Sequence, residues 1–146
     1  MASQLKNRIQ ADLNEARKQR DKDRVLVLST LLSEIRNREI DEIAEPTDDM
    51  VVQVISRGIK LRKDASEQMR AAARPELAAV EDAQALVLGA YLPESLPESD
   101  VRAMVRELIA SGANQMGPLM AGLMPKIRGR FDGKEANRIV REELGQ

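Results

Sequence analysis

Apolar positions along this chain recur at helical rather than strand spacing. Leu5, Ile9, Leu13 and Ala16 line one side of a first helix that Ser3 is placed to cap. Asp21-Lys22-Asp23 marks a break, with Asp23 the predicted cap of a second helix running to about Glu45. Its apolar face carries Leu28, Leu32 and Ile35 beside Val25 and Leu31. Pro46 ends that segment, Thr47 caps a third helix, and Asp48 and Asp49 favour its positive end. The third helix is predicted to reach about Ala73, with Val51, Val54, Ile55 and Ile59 facing inward. Pro75 then opens a fourth at its first helical position, with Leu77, Val80, Val87 and Leu88 on the predicted inner face.

Tyr91-Leu92-Pro93-Glu94-Ser95-Leu96-Pro97 interrupts the pattern, because two prolines within five residues forbid a continuous helix. Tyr91 is expected to anchor this linker, packed between the two halves, in preference to a base-stacking role. Ser99-Asp100 start a fifth helix with Val101, Met104, Val105, Leu108 and Ile109 on its face, and Ser111-Gly112 end it. Leu119, Leu123 and Ile127 follow at i, i+4 and i+8, beside Met116, Met120 and Met124. Pro118 suits the first turn of that helix, whereas Pro125 is expected to kink it. Asp132 is placed to cap a last helix, with Glu135 completing an aspartate version of the capping box and Ala136, Ile139, Val140 and Leu144 inside. The reading is all-α: an N-terminal four-helix domain (1–92), a Pro-rich linker (93–97) and a small three-helix C-terminal domain (98–146). A three-helix unit of this size is marginal by itself, so it is expected to lean on the N-terminal bundle or on a partner.

Composition narrows the chemistry. Cysteine and histidine are both absent from the 146 residues, which removes thiolate metal sites, cysteine nucleophiles and the commonest general base. A Ser–Lys pair is left open, but no motif places one. No cofactor and no metal are expected. The start of the sequence lacks an apolar signal core, and no stretch approaches the ~20 apolar residues of a membrane span. A cytoplasmic protein without membrane attachment is expected. The net charge of −1 gives no bulk attraction to nucleic acid, so such binding would need a local patch.

One candidate patch surrounds the last turn, where Lys126, Arg128, Arg130, Lys134, Arg138 and Arg141 cluster near a helix N-terminus. The alternative is a solvated hairpin face, partly neutralised by Asp132, Glu135, Glu142 and Glu143. Basic residues of the first two helices, and Arg57, Lys60, Arg62 and Lys63 of the third, read first as solvating or intrahelically paired. Glu39, Asp41, Glu42, Glu45, Asp48 and Asp49 form an acidic stretch without an EF-hand spacing, read as a solvated loop. Tyr91 and Phe131 are the only aromatic residues, so RNA binding here would rest on shape and phosphate rather than base stacking.

The stretch from Met116-Gly117 through Met124-Pro125-Lys126 and Gly129-Arg130-Phe131-Asp132-Gly133-Lys134 to Asn137 resembles the signature of the GatB/YqeY family, in its free-standing YqeY-like branch. Tyr91-Leu92-Pro93-Glu94-Ser95-Leu96 and Ile59-Lys60-Leu61-Arg62-Lys63-Asp64 resemble two further family stretches, in the expected order. The resemblance implies a C-terminal half similar to the tail domain of the GatB subunit of the glutamine-dependent aminoacyl-tRNA amidotransferase, a tail that helps engage tRNA. It implies a non-catalytic accessory module whose partner is tRNA or a tRNA-bound amidotransferase or synthetase. Contacts are expected from Lys126, Arg128, Arg130 and Lys134, with Gly117, Gly129 and Gly133 allowing close backbone approach. Two other readings stay open: an adaptor docking on an amidotransferase or synthetase, and a chain with carbon–nitrogen ligase activity using glutamine as amido donor.

Overall fold

A computed structural model describes residues 3–145, and among these every regular element is an α-helix. The helices are α1 (Gln4–Lys18), α2 (Lys22–Glu42), α3 (Asp48–Ala71), α4 (Pro75–Gly89), α5 (Glu98–Ala110), α6 (Met116–Ile127) and α7 (Gly133–Leu144). The chain divides into two compact units, Met1–Leu92 and Pro93–Gln146.

In the first unit α1 pairs with α2 and α3 with α4, and the two hairpins close on each other through α1–α3, α2–α3 and α2–α4 contacts. Ile9, Leu13, Val27, Leu28, Leu31, Ile35, Val51, Val54, Ile55 and Leu88 form the core, with Val25, Leu32, Ile59 and Val87 packed at its edge. Helix starts are satisfied by short polar side chains: Ser3 accepts from the Lys6 N–H and Thr47 from the Met50 N–H, at 3.0 and 3.1 Å. The second helix is capped by Asp21, which accepts from the Arg24 N–H. Asp23, the predicted cap, lies inside the first turn instead, where its charge still favours the helix dipole. Ser3 also donates to the Asp48 carboxylate, which accepts from the Leu5 N–H, so one buried hydroxyl joins the starts of α1 and α3.

The inner face of α4 departs from the prediction. Leu77 and Val80 are exposed, while Ala78, Ala85 and Leu88 are buried. The helix is apolar nearly all round, so periodicity alone could not choose its inner side; close packing against α3 selected the alanines. At that crossing Gly58 lets the helices approach closely, since a Cβ would sit tightly, at 3.3 Å, against Leu88 Cδ1 and the Arg62 guanidinium. Arg62 ties the pair further, donating to the Gly58 carbonyl and to Gln84 Oε1, both at 3.2 Å.

Tyr91 is 4% exposed and belongs to the core of the first unit. Its hydroxyl donates to Asp12 Oδ2 at 2.5 Å, and the Arg8 guanidinium lies 4.9 Å above the ring. It therefore fastens the end of α4 to α1, a more specific role than the linker anchor expected from sequence.

The second unit is organised by Val101, Val105, Leu119, Leu123, Ile127, Ala136, Ile139 and Val140, each with no exposed surface. Leu108, Ile109 and the three methionines of α6 pack around them. Gly122 lets α5 and α6 approach, as a Cβ there would lie 3.1 Å from Leu108 Cδ2. Pro125 falls in the last turn of α6, which ends two residues later at Ile127. Residues 93–97 are part of this unit. Leu96 packs on its core, and the Leu96 N–H donates to the Arg130 carbonyl at 2.8 Å.

Burial, followed by the hydrogen bond to Asp12, pushes the Tyr91 hydroxyl from 10 up to about 12. The unfolded chain releases this proton first, so the stabilisation is complete below pH 10 and is lost as pH rises toward about 12. Tyr91→Phe is expected to cost about 1 kcal/mol at neutral pH and to remove that part of the alkaline decline. Urea denaturation followed by circular dichroism across this range checks both.

Candidate nucleic-acid interface

The basic turn joins α6 to α7 over residues 128–132, and its backbone is set by the sequence. Gly129 takes φ +74°, a left-handed conformation that L side chains adopt only with strain. The Arg130 and Phe131 N–H groups donate back to the Ile127 carbonyl, at 2.8 and 3.1 Å, closing the turn. Asp132 then caps α7 by accepting from the Lys134 N–H at 3.1 Å. The predicted reciprocal arm of the capping box gives way to another contact. Glu135 accepts from Arg138 at 2.9 Å, a charge-assisted bond one helical turn away.

The six clustered cations have different surroundings, and Arg141 is exposed in the last turn of α7. Arg138 is enclosed by Glu98, Glu135 and Glu142, and Arg102 is held by Glu142 and Glu143 at 2.8 and 2.9 Å. Arg106 joins through Glu143 at 3.0 Å, so the network staples α5 to α7. Hydrogen bonds from these arginines hold the Glu142 and Glu143 carboxyls below the usual range. The network's contribution is therefore present above the ordinary carboxylate range and fades as pH falls through the depressed values. Arg138 is a structural residue rather than part of a free cationic face.

Arg130 is half-buried, and its Nε donates to the Glu94 carbonyl at 3.0 Å. It thereby clamps the segment before α5 onto the turn, a task its position in the sequence gave no means of reading. Arg128 is also half-buried and has a partner of its own. Lys126, in the last turn of α6, and Lys134, in the first turn of α7, are exposed, and their ammonium groups have no partner among the described residues. Of the four side chains expected to contact phosphate, these two lysines are the exposed ones without a partner among the described residues.

The glycines divide in the same way. Gly129 serves the turn. Gly117 and Gly133, in the first turns of α6 and α7, have nothing within 4 Å of a Cβ built on them. Folding does not demand their smallness, and each leaves an unobstructed approach to a helix N-terminus. At α6 the N-cap Gln115 makes no side-chain cap bond, which leaves first-turn N–H groups to solvent.

Part of the acidic stretch is paired, while Asp41 and Glu45 are exposed. Glu39 binds Lys6 at 2.6 Å, Glu42 binds Arg38 at 2.6 Å, and Asp48 serves Ser3 and Leu5. Among the described residues no group of three or more acidic side chains is placed to hold a metal ion. No described helix is long and apolar enough to cross a membrane.

The contrast between turn and surface glycines predicts a stability difference. Gly129→Ala is expected to destabilise the second unit by about 1–2 kcal/mol, because it forces a side chain into positive φ. Gly133→Ala is expected to stay within about 0.5 kcal/mol of the parent. Thermal denaturation of the two variants compares them directly.

Comparison with known proteins adds to this geometry. The family model described as Yqey-like protein matches residues 6–144. Altered inheritance of mitochondria protein 41, mitochondrial, from Pyrenophora tritici-repentis (strain Pt-1C-BFP), is 28% identical over 144 residues, covering 94% of this chain and 80% of that protein. An uncharacterized protein of Schizosaccharomyces pombe (strain 972 / ATCC 24843) is 38% identical over 86 residues, covering 59% of this chain and 70% of its own length. With the match running through both helical units, the chain belongs to the YqeY-like protein family.

Proposed function

We propose that this chain is a non-catalytic accessory module that engages tRNA, or RNA of similar form, by gripping its phosphate backbone at the α6–α7 turn. The observation that carries the reading is the pair of exposed lysines without partners among the described residues, Lys126 and Lys134, on either side of a turn rigidly set by Gly129 and Asp132. Open space at Gly133 supports close approach of a phosphate to the α7 N-terminus, whereas Gly117 lies at the other end of α6, away from the turn. The resemblance of residues 116–140 to the amidotransferase tail supports tRNA as the nucleic acid. The lack of histidine and cysteine supports a role in binding rather than in transfer chemistry.

Of the four expected side chains, Lys126 and Lys134 support the reading most, being exposed and without a partner among the described residues. Arg130 donates to the Glu94 carbonyl and helps shape the turn, and Arg128 has a partner of its own. Two phosphate contacts give a weak, strongly salt-dependent interaction, suited to a module that assists a larger assembly.

The test is fluorescence anisotropy with labelled tRNA across a salt series, comparing the parent with a Lys126→Ala/Lys134→Ala variant. At about 0.9 per duplex-type contact, the slope of log K against log salt should flatten by about 1.8 in the variant. Equal slopes for the two proteins would sink the assignment of these lysines, and a parent without salt-dependent binding would sink the RNA reading.

A further inference from the structure

Lys126 and Lys134 are not the only exposed cations without partners among the described residues. Arg17, Lys18, Arg20 and Lys22 fall within six positions at the α1–α2 corner, all exposed and all without a side-chain partner among the described residues. Asp21, interleaved with them, is engaged in capping α2, which leaves Asp23 beside four cations.

Like charges this close repel, and the fold gives only two of them a reason to stand here. Arg17 and Lys18 lie in the last turn of α1, whose negative end favours cations. Lys22 lies in the first turn of α2, where the helix end is positive and a cation is disfavoured. Arg20 stands at φ +57°, the left-handed conformation that ordinarily goes to glycine after a helix. Its N–H donates to the Arg17 carbonyl at 3.2 Å, and the Asp21 N–H to that of Ala16 at 3.0 Å. Glycine would close α1 in the same way with less strain. The Arg20 side chain is exposed, so packing does not offset that strain. Arg20 and Lys22 thus both cost the fold stability and both present a cation to solvent, which points to an anionic partner outside it.

The distribution of the charges narrows the partner. The four cations are spread over the end of α1, the turn and the start of α2, and the groove beside the corner is lined by Asp21, Asp23 and Arg24 rather than by them. A small anion needs cations that converge, whereas a polymer with phosphates at regular intervals meets spread cations one by one. Tyr91 is buried in the core, so it offers no ring for base stacking, and the contact is to the backbone.

We propose that the α1–α2 corner is a second phosphate-backbone contact for RNA, with Arg20 and Lys22 its principal side chains. It rests on the RNA reading of the α6–α7 turn but on different residues, in the other unit. The test is anisotropy with labelled tRNA across a salt series, with a full-chain Arg20→Gly/Lys22→Ala variant beside the parent and the Lys126→Ala/Lys134→Ala variant. Loss of two contacts should flatten the slope of log K against log salt by about 1.8. The corner variant should also melt at a higher temperature than the parent, because it removes the strain and the conflict with the helix dipole. A parent-like slope in the corner variant, with the turn variant flattened, overturns the proposal and leaves the RNA reading standing. A lower melting temperature overturns it too, since Arg20 and Lys22 would then serve the fold. A parent without salt-dependent tRNA binding overturns both and leaves the corner to an acidic protein surface.

Discussion

The seam between α6 and α7 is the constraint on which the C-terminal unit depends. Leu119, Leu123 and Ile127 meet Ala136, Ile139 and Val140, with Val101 and Val105 closing over them, and all eight are wholly removed from water. A unit of roughly fifty residues has little surplus core, and this sequence holds no cysteine to cross-link it. Burying each large aliphatic side chain is worth about 1.5–3 kcal/mol, against about 0–1 kcal/mol for an exposed ion pair. The apolar seam therefore sets the hairpin, and the arginine–glutamate network across α5 and α7 trims its edge. Because the seam fixes where α6 ends and α7 begins, it also fixes where Lys126 and Lys134 stand.

The N-terminal unit meets a different demand, that of four helix starts needing hydrogen-bond partners. Ser3, Asp21 and Thr47 each supply an oxygen to a first-turn N–H, and Pro75 removes a donor at the fourth start. Ser3 does more by binding Asp48, so the starts of α1 and α3 form one polar cluster. Tyr91 performs a comparable service at the end of α4, joining it to Asp12 of α1.

Most of this fold was legible in the sequence because its signals are local. Proline, glycine and capping residues mark the helix ends, and three of the predicted caps, Ser3, Thr47 and Asp132, perform that task. The misreadings have local causes too. Asp21 and Asp23 both satisfy the cap pattern, and only the backbone geometry selects the first. Helix α4 is too uniformly apolar for its inner side to be read from period, so Leu77 and Val80 were assigned inward while the alanines took the core. At the candidate interface the sequence located the cations but could not sort them. Arg130 and Lys134 look alike in the pattern, and only the fold brings the Glu94 carbonyl to one and leaves the other in solvent.

Rigidity and availability are thus separated about one short turn. Gly129, Arg130 and Asp132 hold its shape, whereas Lys126, Gly133 and Lys134 face outward beside it and Gly117 stands apart, at the opposite end of α6. The central claim is that this outward set is where RNA is met. The most direct test is the amide nitrogen–proton spectrum of the full chain as tRNA is added. The account predicts that the shifted and broadened signals concentrate across residues 126–134, with any further ones at the α1–α2 corner, leaving the α1–α4 core unchanged. Shifts centred on another surface, or none at all, would contradict it.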